Sequence, residues 1–344
     1  MIGSERPRVS ILLPCRQAEP FLEGCIASLE TQTESRFEAL VLDDSSVDGT
    51  GDILAAWAKR DTRVRIVEPD GSGLIAALKR LAGEARALYL ARMDADDIAR
   101  PGRLAAQITL LDANPDLAAC GTGVRYFPSS ARGSGYTRYE NWINSLTDPV
   151  AIARDLLVEC PIAHPTLMVR RRVFNSVGGY REVDGPEDYD LILRLSEAGY
   201  NLANVPEVLH EWRLGNHRLS ERSARYHATA FRRLKVSYLR QNVVPEDRPL
   251  VIWGAGKVGK AFARAWLVAG DQLISAFVDL DPRKIGQTIH GARVIGVTDL
   301  AVDTEVSRRP FILVAVGTPG AREDIRAELH RLGFNDQTDY RVVA

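Results

Sequence analysis

Between residues 9 and 113 the chain alternates short apolar runs with longer segments of helical periodicity, and this rhythm restricts its fold more than any other feature. Val9 to Leu13, Ala39 to Leu42, Val64 to Val67 and Ala87 to Met93 read as strands. The segments between them, near residues 20 to 32, 48 to 60, 73 to 86 and 101 to 113, carry apolar residues at helical spacing. Strand and helix in alternation predict an α/β fold with a mostly parallel central sheet, because crossover connections lay helices on its faces. Ligands of such sheets collect where the carboxyl ends of the strands open into loops. Asp43 and Asp44 close the second strand, and Asp94, Asp96 and Asp97 follow the fourth, so acidic side chains stand where a site is expected.

Charge limits what that site can serve. Lys and Arg total 44 against 45 Asp and Glu, which leaves no field drawing the chain to nucleic acid, so an anionic ligand must be held locally. No run approaches the ~18 apolar residues of a membrane span. The N-terminus MIGSERPRVSILLP lacks a cleavable leader pattern. Cys15, Cys25, Cys120 and Cys160 have no CxxC spacing and read as reduced, buried thiols. A cytoplasmic location is expected, at the inner face of the membrane if the basic helical pattern near 219 to 241 rests there peripherally. The commoner fate of such a helix is to pack its apolar stripe on its own domain.

Residues 125 to 145, rich in Gly, Ser and aromatics, read as an irregular loop or flap. Helical patterns resume at 147 to 158, 170 to 177 and 187 to 198. The βαβ rhythm restarts after Gln241 to Pro249, which holds two prolines, so two domains are expected, 1–243 and 247–344.

Breaking a sugar–diphosphate bond leaves extra negative charge on the departing diphosphate, which a divalent cation stabilises. Such a hard cation takes oxygen ligands, and carboxylates one residue apart, as in Asp94-Ala95-Asp96, can supply them. An Asp-rich surface loop would show the same pattern, so the pair alone decides nothing. Its company does. VSILLP, FEALVLDDSSVDGT and LYLARMDADDIARPGRLAAQITLLDANPDLAACGTGV, followed by CPIAHPTLMVRRRVFNSVGGYRE and GPEDYDLILRLSEAGYNLANVP, resemble glycosyltransferase family 2 in order and spacing over residues 8 to 240.

The resemblance implies a GT-A nucleotide-diphospho-sugar transferase fold and an inverting, metal-dependent transfer from a nucleotide sugar to a hydroxyl. The acceptor would be a saccharide, a lipid-linked sugar or a protein. It further implies that Asp44 and Asp43, with Pro14, bind the donor base, that Asp94 faces the ribose or a metal-bound water, and that Asp96 holds Mn or Mg with Asp97 supporting it. Asp188 would be the general base and Glu187 and His164 would shape the acceptor side. His217 would join the metal shell and Arg218 the diphosphate, for which a guanidinium fork is suited. Attack opposite the leaving group requires the base to sit across the site from the metal, and Asp188 lies in a separate segment from Asp96. Against this, acidic residues at a helix start also complement its dipole. Two stretches depart from the family pattern: Cys15-Arg16-Gln17 after Pro14, and Leu78-Lys79-Arg80.

Leu250 to Trp253 runs into Gly254-Ala255-Gly256-Lys257-Val258-Gly259, with Asp279 twenty residues beyond Gly259. Strand, glycine loop, helix and distal acid form the dinucleotide fingerprint. The segment resembles small Rossmann-like domains that bind NAD or a nucleotide sugar, which makes Gly254, Gly256, Gly259 and Asp279 candidate nucleotide contacts. A unit of this kind that only packs is the alternative. Two further readings of the whole chain are a nucleotidyltransferase, for which CRQAEPF lacks a Gly-rich basic signature, and a nucleotide-sensing scaffold with an inactive transferase half.

Overall fold

The computed structural model describes residues 6–131, 133–215, 223–301, 309–318 and 320–344, so His217 and Arg218 lie outside the described residues. The chain divides into two compact units. The first comprises Met1–Ile152, Pro161–Val183 and Glu187–Arg222.

Four parallel strands form half of its sheet: β1 (Val9–Cys15), β2 (Phe37–Asp43), β3 (Val64–Ile66) and β4 (Tyr89–Arg92). They alternate with α1 (Glu19–Glu30), α2 (Thr50–Arg60) and α3 (Leu74–Glu84), and α4 (Arg103–Ala113) follows. β1 and β2 are buried on both faces, which is why they read as continuous apolar runs rather than alternating ones. Register sets the site. Cys15 pairs with Asp43 and Leu12 with Arg92, so the acidic stretches after β2 and β4 leave the sheet at the same edge.

The remaining strands are β5 (Ile98–Ala99), β6 (Leu117–Phe127), β7 (Met168–Arg170) and β8 (Asn201–Arg213), in the order β3-β2-β1-β4-β7-β6-β8-β5. β7 runs antiparallel to both β4 and β6, so the sheet is parallel in its first half, as a mostly parallel sheet requires, and mixed in its second. The helices there are α5 (Ser134–Ser145), α6 (Pro149–Asp155), α7 (Arg171–Ser176) and α8 (Glu187–Glu197). α5 corrects the irregular-loop reading of 125 to 145. Its residues are poor helix formers, but Tyr136, Tyr139, Trp142 and Ile143 lie at helical spacing, with Tyr126 and Trp212 as ring partners. Packing of an apolar stripe outweighs weak intrinsic propensity.

The second unit contains Ala153–Cys160, Asp184–Pro186 and Ser223–Ala344. The expected join at Gln241 to Pro249 therefore falls inside it, after α9 (Ala228–Asn242). Its elements are β9 (Leu250–Trp253), α10 (Lys257–Ala269), β10 (Ile274–Val278), β11 (Thr288–Ile289), β12 (Ala292–Ile295), β13 (Phe311–Val314), α11 (Ala321–Arg331) and β14 (Tyr340–Val342). The strand order β11-β12-β10-β9-β13-β14, parallel except for β11, is doubly wound, with its switch point at β9 and β13. On α9 the buried residues are Ala230, Lys235, Val236 and Leu239. The Lys235 ammonium donates to the carbonyls of Val158 at 2.6 Å and Val343 at 3.3 Å, so one cation of the basic stripe is spent inside the unit.

Candidate active site

The site is built where β4 ends. Arg92, its last residue, is buried and donates to the carboxylate of Asp94 and to the Met93 carbonyl. Burial opposes its charge, but Asp94, Tyr180 and Glu187 outweigh that and raise its pKa. Asp97, fully buried, turns inward to accept from Nε2 of His210 at 2.8 Å and from the backbone N–H of Arg213 at 2.7 Å. The Arg213 guanidinium donates to the Asp96 carbonyl at 2.7 Å and lies over Phe21 and Phe127. Asp97 thus bolts the DADD loop to β8, leaving Asp94 and Asp96 half-buried at its mouth.

Arg103, at the start of α4, secures the loop from behind. It is 1% exposed and donates to the carbonyls of Arg92 and Pro165, each at 2.7 Å, while its other arm meets Nδ1 of His210 at 3.3 Å. Because the guanidinium has no acceptor to offer, Nδ1 must accept, and the single proton of His210 sits on Nε2 facing Asp97. Burial, with Arg103 and Arg92 nearby, keeps that imidazole neutral. Burial also pulls Arg103 itself down to about 10, against the opposing charge of Asp97.

The acids that close β2 are held as firmly. Asp43 accepts from the backbone N–H and hydroxyl of Ser46. Asp44 is 5% exposed and accepts from Gly73 N–H at 3.0 and 3.1 Å and from Arg16 at 3.2 Å. Gly73, with φ of 90°, starts α3 in a conformation that favours glycine. Pro14 pairs with Leu42 inside the β1–β2 ladder. As placed, these acids join the loops after β1, β2 and β3 into one wall.

The opposite wall starts at His164 and ends on α8. Nε2 of His164 lies 2.8 Å from the Tyr180 hydroxyl, and Nδ1 lies 3.7 Å from the carboxylate of Glu187, which is 1% exposed. Asp188, next along α8, is half-buried and accepts from the Tyr189 N–H at 2.8 Å. Tyr180 stands in the field of both the DADD loop and α8: burial drives its pKa well up, Glu187, Asp188 and Asp94 add to that, and Arg92 opposes it. Asp94 and Asp188, ninety-four positions apart in sequence, therefore bear on one hydroxyl.

Among the described residues no three His, Cys, Asp or Glu side chains converge on one point. A divalent cation at Asp96, with Asp94 beside it, would complete its shell from phosphate oxygens and water, as small hard cations commonly do. The donor set, two half-buried carboxylates, fits such an ion.

The model of the family described as glycosyl transferase family 2 matches residues 10–178. The amylovoran biosynthesis glycosyltransferase AmsE of Erwinia amylovora is 31% identical over 204 residues, 58% of this chain and 73% of AmsE. The chain belongs to glycosyl transferase family 2. An uncharacterised glycosyltransferase of Haemophilus influenzae is 31% identical over 62% of this chain and 68% of its own length. The mannosyltransferase PcManGT of Pyrobaculum calidifontis, solved in complex with GDP-Man and Mn2+, superposes with a TM-score of 0.50 at 19% identity, over 69% of this chain and 63% of that one. That likeness concerns the fold, which is GT-A.

In this glycosyltransferase the candidate site includes residues that the sequence did not announce. Arg92 and Tyr180 lie inside quoted motifs, ARMDADD and GGYRE, but nothing local marks them as lying between the DADD loop and α8. Arg103, His210 and Arg213 act over separations of up to 117 residues. In the second unit the glycine loop has the expected geometry. Gly254 has φ of 119° and a Cβ there would meet the Ala315 carbonyl at 2.8 Å, a Cβ on Gly259 would overlap the Gly254 carbonyl at 1.8 Å, and Gly256 faces open space. Asp279 accepts from the Ala255 N–H at 2.9 Å and from Lys284 at 3.0 Å, so it shapes the loop itself.

Proposed function

We propose that the chain transfers a sugar from a nucleoside diphosphate to a hydroxyl acceptor with inversion, using a divalent cation at Asp96 and Asp188 as general base. The support is the strand register that brings the acidic stretches after β2 and β4 to one edge of the sheet, where buried Arg92 donates to Asp94 and shares its charge with Glu187 of α8. The cation would neutralise charge growing on the departing diphosphate. Asp94 and Asp96 orient toward it, Asp97 fixes their loop, and Asp188 accepts the hydroxyl proton as the new bond forms. Asp43, Asp44 and Pro14 form the wall facing the base and ribose. Glu187 and His164 back the acceptor side.

The relatives point to a role in assembling cell-envelope polysaccharide, since AmsE is named for amylovoran biosynthesis, and to a nucleotide sugar donor with a divalent metal, since PcManGT was solved with GDP-Man and Mn2+. Domains 1–243 and 247–344 are the proposed functional division, the second taking a nucleotide at Gly254, Gly256, Gly259 and Asp279. No described helix is long and apolar enough to cross a membrane, and a place on the cytoplasmic membrane face suits polysaccharide assembly.

Release of nucleoside diphosphate from a panel of nucleotide sugars, with MnCl2 or MgCl2 supplied, tests the reading. Chelation and Asp96→Ala are expected to abolish release. Asp188→Asn is expected to lower turnover roughly 10²- to 10⁴-fold with donor affinity kept. An Asp188→Asn enzyme that turns over at the parental rate overturns the base assignment.

A further inference from the structure

Next to the half-buried Asp188 ends a buried line of polar groups that transfer chemistry does not by itself require: Tyr180, His164 and Glu187. We propose that Tyr180 and His164 are positioning residues that hold Glu187, and with it the first turn of α8 that carries the proton-accepting carboxylate. The inference rests on Asp188 being the base.

The proton inventory gives the line a single sense. Tyr180 keeps its proton, because burial and the surrounding carboxylates oppose its loss. His164 is neutral, held so by burial and by Arg92. A neutral imidazole has one N–H and one acceptor. Glu187 can offer only lone pairs when ionised, so Nδ1–H faces it and Nε2 accepts from the Tyr180 hydroxyl at 2.8 Å. At 3.7 Å the His164–Glu187 step is an electrostatic contact, longer than a hydrogen bond. A buried carboxylate is tolerated only when such groups face it, and Arg92 adds a fixed positive charge on the same side.

The scaffold around the line is rigid. Gly179, with φ of 60°, turns the chain so tightly that a Cβ there would meet the Phe174 ring at 2.7 Å. Phe174 in turn packs edge-on against Tyr180 at 5.3 Å between centroids, and His164 does so at 5.6 Å. Arg194 of α8 donates to the Gly179 carbonyl at 2.6 Å and pairs with Asp190, which also holds Arg181. The turn bearing Tyr180 and the helix bearing Asp188 are therefore one piece, and the polar line meets it at the buried first turn of α8.

The test uses the full chain. Affinity for UDP and GDP, each with MnCl2, is measured by calorimetry, and kcat and donor KM by nucleoside diphosphate release. Tyr180→Phe keeps the ring and removes the hydroxyl. It is expected to lower kcat roughly 10- to 100-fold, the scale of a small misplacement of a reacting group. Nucleotide affinity and donor KM should stay within about two-fold, well under a tenfold step. His164→Asn puts an amide near Nδ1, facing Glu187, whereas His164→Gln extends one toward Tyr180. The Asn variant is expected to keep the higher kcat, an ordering that general loosening of the fold would not produce. Parental kcat in Tyr180→Phe, a loss of nucleotide affinity in step with kcat, or a Gln variant faster than the Asn variant would overturn the proposal. Parental turnover in Asp188→Asn would instead remove the base assignment on which it rests.

Discussion

Arg92 is the side chain on which both halves of the site depend. It is 3% exposed, its field reaches Asp94, Tyr180 and Glu187, and its Nε has no hydrogen-bond partner among the described residues. Arg92→Met should leave the carboxylates without their buried counter-charge and lower unfolding free energy by about 3 kcal/mol or more, read by urea titration at neutral pH. Arg92→Lys should recover only part of this, since one ammonium replaces the two guanidinium nitrogens that separately reach the Met93 carbonyl and Asp94. Asp94, Asp96, Asp188 and Glu187 could be named as candidates from sequence because they sit in short motifs whose order is distinctive. Their supports could not. His210 is a lone histidine in sequence and becomes the partner of Asp97 only when β8 lies beside β5 and β6.

At the scale of elements, periodicity located β1 to β4 and the helices between them, where apolar runs are unbroken and crossovers regular. It failed at β6 and α5 for opposite reasons. β6 contains Gly121 and Gly123, which weaken a strand signal but are needed for close packing, since a Cβ at Gly121 would stand 2.4 Å from Oδ1 of Asn204 and 2.8 Å from the Thr166 hydroxyl. Gly121→Ala is expected to cost about 1–3 kcal/mol through overpacking, measured as a lower denaturation midpoint with unchanged m-value. α5 hides its stripe among Gly, Ser and Asn, and takes its stability from rings that belong to β6 and β8.

Across the whole molecule, the division into units does not follow the order of the chain. Ala153–Cys160 belongs with the second unit, where Asp155 pairs with Arg326 at 2.7 Å and Val158 receives Lys235. A fragment of residues 246–344 would lack both α9 and Asp155. It is expected to unfold at lower urea than the same unit in the intact chain, and tests of nucleotide binding belong on the full chain. Acid should act on this unit through Asp339. Hydrogen bonding from Arg309, with the Asn335 N–H and Arg248 adding to it, holds that carboxyl well below its usual range. The unfolded state then binds the proton first, so the stability Asp339 contributes is complete above about pH 4 and is lost as pH falls further. Asp339→Asn should flatten the fall in urea midpoint between pH 5 and 3. Arg103 carries a consequence for synthesis. Its three clamps reach partners 11, 62 and 107 residues away, so a nascent chain interrupted before β8 holds a cation that has lost one of its anchors. The two sides of the candidate site should mature together, late, and no shortened product should retain half of it.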